Sequence, residues 1–196
     1  MPPIRSLLFA AALGCFVAPP LAVAGDRTVI ISIPEQRLAI VENGLRVAQF
    51  PVSTSKFGLG DRPQSFATPL GRLQVAEKVG NGARSGTVFK GRRPTGEVLR
   101  PNARGRDPIV TRILHLRGLD AGNARAYGRG IYIHGTPEER RIGRPASYGC
   151  VRMRSRDVVR VFDAVGVGTN VEIVNSPLSR AMRQIATHSQ ARASAS

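Results

Sequence analysis

Apolar positions in this chain come in short runs rich in β-branched residues, at 29–32, 36–41 and 45–52, and Asn43-Gly44 between the last two is a strong two-residue hairpin signal. The chain therefore opens as a β-meander. A turn-rich stretch at 53–69 precedes a strand at 72–79, and strand patterns return at 109–116 and 130–134. In the last of these, Ile131 and Ile133 should face one side and Tyr132 and His134 the other. Only 155–165 has a helical period: Val158, Val161, Phe162 and Val165 are spaced three and four apart, Ser155 can cap the free amides, and Gly166 can end the helix. A closing strand is expected at 170–174. Two segments give no element. The stretch 80–108, loaded with Gly, Arg, Pro and Asn, is a candidate cover for a binding groove, and the polar, basic stretch 176–196 is expected to be a disordered tail. Many short strands, glycine-rich turns and one helix describe a mostly β sandwich or barrel with a helix beside it.

The N-terminus sets the compartment. Residues 1–5 are basic, 6–19 are apolar, and Ala22-Val23-Ala24 offers small residues before Gly25, so 1–24 reads as a cleaved signal peptide and the chain as exported to a periplasm or cell wall. Pro19 and Pro20 break the apolar run short of the roughly 20 residues a membrane span needs. Cys15, after Ala12-Leu13-Gly14, matches a lipoprotein cleavage site less well. The mature chain then keeps one cysteine, Cys150, and can form no internal disulfide. An unpaired thiol in an oxidising compartment is either deeply buried or kept as a nucleophile.

Composition adds a formal charge of +16, carried by 26 arginines and three lysines. With an export signal in front, the expected counterpart is an acidic wall polymer or anionic envelope surface and not nucleic acid.

Candidate chemistry concentrates in "HGTPEERRIGRPASYGC", from His134 to Cys150. A thiol needs a base or cation beside it to react at neutral pH, and imidazole serves as both. Ser147-Tyr148-Gly149-Cys150 makes a tight turn whose backbone amides could converge in front of the sulfur as an oxyanion hole. Arg152, two positions after Cys150, would share its side of an extended segment and could grip a substrate carboxylate. Tyr132 shares the strand face of His134 and could line the pocket. His115, in "RILHLRGL", reads as a surface or packing residue, and His188 sits in the tail. One cysteine and one histidine near Glu138 and Glu139 are a poor zinc ligand set.

His-Gly-Thr, an intervening loop, then Ser-x-Gly-Cys-Val-Arg-Met resembles the signature of L,D-transpeptidase catalytic domains. "QRLAIVENGLRVAQFPVSTSK" looks like that domain's opening meander and "ATPLGRLQV" like its Thr-Pro-x-Gly segment. The resemblance implies a β-sandwich domain over residues 25–175 with one short helix after the cysteine, acting on peptidoglycan stem peptides without metal or cofactor. It implies Cys150 as nucleophile, His134 as base, and the Gly135 carbonyl as the group that orients the imidazole. The family usually has a histidine two places before the cysteine, where this chain has Tyr148; the tyrosine hydroxyl and the amides of Gly149 and Cys150 are expected to serve the oxyanion, with Ser147 and Arg152 on the substrate. The implied reaction is acyl transfer from a tetrapeptide stem, releasing D-alanine, to an acceptor amine in a 3-3 cross-link. A carboxypeptidase, an amidase or lipoprotein-linking enzyme, and a noncatalytic wall-binding module are the alternatives.

Overall fold

A computed structural model of the chain describes residues 27–193, so the expected signal peptide and Cys15 lie outside the described residues. Ten strands form one hydrogen-bonded sheet. The meander comprises β1 (Arg27–Ser32), β2 (Arg37–Glu42) and β3 (Leu45–Pro51). Its second turn is the Asn43-Gly44 pair, with φ of 51° and 78°, the left-handed values that a two-residue hairpin requires. On the other edge of β1 lies β10 (Asn170–Val174), parallel to it, followed by β4 (Gly71–Val79) and β7 (Ile109–Gly118), each antiparallel to its neighbour. Strand β7 then pairs with β8 (Tyr132–Gly135), and β8 runs parallel to β9 (Val151–Met153).

The sheet closes on itself. Ser53, just beyond β3, exchanges backbone hydrogen bonds with Arg152 of β9, 2.9 Å in each direction. The two layers expected of a sandwich are therefore facing walls of a single curled sheet. Its interior is filled by Val29, Ile31, Leu38, Ile40, Leu73, Val75, Leu114, Leu116, Ile131, Ile133, Val151 and Met153. The helix expected after the cysteine is α1 (Ser155–Ala164), which lays Val158, Val161, Phe162 and the following Val165 on this core, the apolar stripe its period dictates. Ser155 is not its cap. The Ser155 N–H donates to the Glu139 carboxylate at 2.8 Å, because an anion from a distant segment satisfies the positive helix end as well as a local hydroxyl would.

Two expectations need correction. The stretch 80–108 contains a hairpin, β5 (Thr87–Lys90) and β6 (Arg93–Val98). Its turn residues Gly91 and Arg92 both have positive φ, 57° and 63°. Arginine there and Pro94 and Gly96 in β6 hide the strand signal. Val110 of β7 pairs with both Val88 and Gly135, so β5 and β8 flank opposite edges of β7. The second correction is at the C-terminus, where Leu178–Ala193 is a helix, α2. Leu178 and Ala181 are buried against Ile30, Ala39 and Val41, with Met182 and Ile185 partly covered, and Glu35 accepts the Leu178 N–H at 2.8 Å. The spacing 178, 181, 182, 185 is a helical stripe that composition alone conceals. It covers the face of β1 and β2 that points away from the main core, which explains why β1 is apolar at successive positions.

Leu178→Ala should lower unfolding stability by about 2–3 kcal/mol, measured by denaturant titration, and leave the near-ultraviolet signal of the main core intact. An unchanged midpoint would show that α2 is not anchored to the sheet.

Candidate active site

His134 stands on β8 where the opposing strand is irregular. Ile113 pairs with His134 but Val110 pairs with Gly135, so Thr111 and Arg112 are extra residues opposite one peptide of β8. Thr111 is fully buried and has φ 72°, a conformation that costs a β-branched residue on the order of 1–3 kcal/mol. It is held by three contacts: its Oγ1 donates to Ser155 Oγ (2.8 Å) and accepts from the Gly86 N–H (2.9 Å), and its carbonyl accepts from Arg112 (2.7 Å). The bulge presses on Gly135, where a Cβ would lie 2.5 Å from the Val110 oxygen and 3.1 Å from Thr111 Cβ. Only glycine fits after the histidine.

That close fit aims the Gly135 carbonyl at His134 Nδ1, 2.8 Å away. A carbonyl can only accept, so Nδ1 carries the proton and Nε2 keeps its lone pair. His134 is buried, and burial holds its pKa below the ordinary value of 6.5; the Gly135 carbonyl and the Asp107 carboxylate act in the opposite direction, and Arg152 reinforces the burial. At neutral pH the side chain is a neutral base of fixed tautomer.

Cys150 lies on the adjoining turn. Val151 and Arg152 stand opposite Ile133 and His134, which puts Cys150 level with Tyr132, one same-face step from the histidine. Its half-buried sulfur donates to the Gly130 carbonyl at 3.3 Å and faces the Tyr132 backbone N–H. Burial pushes the thiol up to about 11, against the Tyr132 backbone N–H and the Arg129 and Arg152 guanidinium groups, which pull it down. The resting pair is therefore thiol and imidazole, not thiolate and imidazolium.

The turn itself is built by Ser147. Its hydroxyl donates to the Cys150 carbonyl (2.5 Å) and accepts the Gly149 N–H (3.2 Å), while Thr68 Oγ1 donates to the Gly149 carbonyl (3.0 Å). Gly149 has φ 116°, and a Cβ there would sit 3.2 Å from the Ala67 oxygen. Of the two amides expected to face an oxyanion, only that of Cys150 is left unengaged among the described residues. Ser147, expected on the substrate, is buried and holds the turn instead.

Three further expectations shift. Tyr148 is 60 % exposed and its hydroxyl meets Lys56 Nζ at 3.3 Å, so the ring lies on the rim and supplies no oxyanion contact. Arg152 is buried, its Nη1 ion-paired with Asp107 and with Glu138 (3.2 Å) and its Nη2 donating to Ser53 Oγ (3.4 Å), and among the described residues its Nε has no partner; protein groups occupy the fork expected to hold a substrate. Tyr132 is half-buried and packs edge-on against His115 at 4.7 Å. His115 is a buried packing residue, stacked on Tyr127 at 4.0 Å with Nε2 on the Tyr127 carbonyl. His188 lies outside the residues whose side chains are described. Glu138 and Glu139 are committed to Arg152 and the start of α1, and among the described residues no group of three His, Cys, Asp or Glu side chains could hold a metal ion.

Two contributors escape the sequence pattern. Asp107, at the end of the unassigned stretch, accepts from Thr136 Oγ1 and from Arg152 and so ties His-Gly-Thr to the segment after the cysteine. The same stretch docks through Asn102, whose N–H donates to the Pro137 carbonyl (2.6 Å) and whose side-chain oxygen accepts from Arg140 N–H (3.0 Å). Arg129 reaches the thiol's neighbourhood from a buried pair with Asp61 at 2.7 Å. No short motif marks either residue: Asp107 arrives from a loop distant in sequence, and Arg129, five residues before His134, sits in a turn with no pattern of its own.

A Bacillus subtilis protein that bears an L,D-transpeptidase name, YqjB, is 28 % identical over 85 % of this chain and 81 % of its own length. The Salmonella typhimurium probable L,D-transpeptidase ErfK/SrfK is 45 % identical over 76 % of this chain, which spans only 45 % of that relative. Among solved structures, the L,D-transpeptidase of Xylanimonas cellulosilytica superposes with a TM-score of 0.49 and 21 % identity, covering 80 % of this chain and 64 % of that one. The family model of the L,D-transpeptidase catalytic domain, YkuD, matches residues 26–173, and the chain belongs to that family.

Proposed function

We propose that the protein is an exported peptidoglycan L,D-transpeptidase that forms 3-3 cross-links, with Cys150 as nucleophile and His134 as general base. The observation that carries this reading is the tautomer: the Gly135 carbonyl fixes the Nδ1 proton of His134 and leaves Nε2 basic, one step along the same sheet face from the thiol.

Chemistry follows from a neutral pair. As the sulfur leaves the Gly130 carbonyl and attacks the carbonyl of the stem's third residue, its proton passes to His134 Nε2. The carbonyl oxygen becomes an oxyanion facing the Cys150 amide. The C–N bond then breaks, the imidazolium returns the proton to the departing D-alanine amine, and a thioester remains. An acceptor amine attacks that thioester and gives a proton to His134, which returns it to the departing sulfur, leaving a new peptide bond and the free thiol. The thioester keeps the energy of the broken bond, so no nucleotide is consumed. Asp107 acts through its partners, holding Thr136 and Arg152 so that the base and the turn keep one geometry. Arg152 is buried while Asp107 and Glu138 are partly exposed, so two carboxylates that reach in from the surface compensate the buried cation.

Incubation of the purified mature protein with a carbapenem should add the drug's mass in an intact-mass measurement, and Cys150→Ala should abolish the gain. A disaccharide-tetrapeptide assay then reads the acceptor: dimer for transfer to a stem, tripeptide for water. Absence of any adduct on an accessible thiol would sink the catalytic reading.

The pH dependence is specific to a resting neutral pair. His134 is protonated only below its lowered pKa, so the acid limb of the acylation rate should lie below pH 6.5; the thiol stays protonated up to about 11, so the rate should hold level through pH 8 and 9. A bell-shaped profile that falls again between pH 7 and 9, as an imidazolium loses its proton, would indicate a preformed ion pair. Asp107→Asn removes a charge that raises the His134 pKa, so its acid limb should move to lower pH while the rate at pH 8 drops about tenfold through loosened positioning. An unmoved acid limb would limit Asp107 to a structural part.

A further inference from the structure

Phe57, Phe66 and Tyr148 gather three of the chain's ten aromatic side chains on one open patch, 49 %, 51 % and 60 % exposed. Their ring centroids lie 5.2 to 5.8 Å apart. Exposed apolar surface of this kind, beside a reactive group, marks a place where something binds. Two features show that it is built and held. Phe66 sits at φ 53°, a left-handed conformation that a bulky residue adopts only where its surroundings impose it. The surroundings are a set of hydrogen bonds: Ser55 Oγ donates to the Phe66 carbonyl (2.5 Å) and accepts the Phe57 N–H (2.9 Å), and Ser55 N–H donates to Thr68 Oγ1 (3.0 Å). Thr68 in turn holds the Gly149 carbonyl. The patch is therefore geared to the turn that carries Cys150.

Resting on the function proposed above, we infer that this patch is a platform for a sugar ring of the glycan strand that bears the stem peptide. The reach agrees. Three stem residues span about 10 Å, so a sugar at the root of a stem whose third residue meets Cys150 lies on the order of 10–15 Å from the sulfur at full extension, and nearer when the stem bends. Tyr148 is two residues from Cys150, at most about 7 Å between Cα atoms, and its side chain extends further. The chemistry agrees as well. A hexopyranose presents an apolar face of C–H groups that stacks on aromatic rings and a rim of hydroxyl and acetamido groups that needs donors. Lys56 supplies them: its ammonium lies 4.7 Å above the Tyr148 ring and 5.1 Å above Phe57, with the Tyr148 hydroxyl as its hydrogen-bond partner, and an ammonium has three donors to give. Tyrosine two places before the nucleophile thus serves recognition of the strand.

Donor use by a disaccharide-tetrapeptide and by the free tetrapeptide, compared as kcat/KM, tests the platform. The wild type should prefer the disaccharide-bearing donor; Phe57→Ala should lose about fivefold of that preference, and Phe57→Trp should keep it. Carbapenem acylation of each variant reports the folded thiol site separately. A preference that is absent in the wild type, or unchanged in Phe57→Ala, overturns the platform while acylation still supports the transpeptidase. Failure of every donor and of the carbapenem overturns the function and leaves the platform to a direct measurement. For that, saturation-transfer NMR of Cys150→Ala with tetra-N-acetylchitotetraose should show sugar C–H contact that Phe57→Ala removes; no contact, or self-association of the protein through the patch instead, refutes the assignment.

Discussion

The hydrogen bond from His134 Nδ1 to the Gly135 carbonyl depends on a backbone fit that no side chain larger than hydrogen would permit. Gly135 is wedged against Val110 and the strained Thr111, and that strain is held in place by Ser155, Gly86 and Arg112. The base is thus aimed by the bulge of one strand, the first residue of a helix and the edge of a loop. Conformational strain of this order persists only where neighbours over-determine it, and here they converge on the one carbonyl that sets which imidazole nitrogen is basic.

Closure of the sheet does the corresponding work for the thiol. The Ser53–Arg152 pairing brings the segment after β3 alongside β9, and with it Ser55, Thr68 and the aromatic residues that border the Cys150 turn. A thiol on a free loop would lose orientation; this one hangs from a turn fixed by Ser147 on one side and Thr68 on the other. Burial then keeps both the thiol and the imidazole neutral at rest. In a site of low polarity, separated charge is costly until a substrate supplies the developing oxyanion that balances it.

Much of the frame was legible in the chain. The meander, the Asn43-Gly44 turn, the alternation of Ile131 and Ile133 against Tyr132 and His134, and the stripe of α1 all follow from local periodicity, which depends on neighbours two to four residues away. The parts that were not legible have long-range causes. Strand β6 contradicts its own propensity and exists because β5 docks on β7. Helix α2 reads as a polar tail until the uncovered faces of Ile30, Ala39 and Val41 are seen to need it.

The same division holds at the site. Sequence by itself determined the glycine after the histidine and the tight turn before the cysteine, because these are constraints of covalent spacing and backbone conformation. Only the tertiary structure decided that Arg152 is neutralised by Asp107 and Glu138, that Ser147 holds the turn, that the Gly149 amide is already engaged, and that Tyr148 faces outward with Phe57 and Phe66. The Arg152–Asp107 pair and the Tyr148 cluster with Phe57 and Phe66 are choices of partner across tens of residues, fixed by which loops the closed sheet brings together, and the local contacts of Ser147 are held by Thr68 from a distant segment.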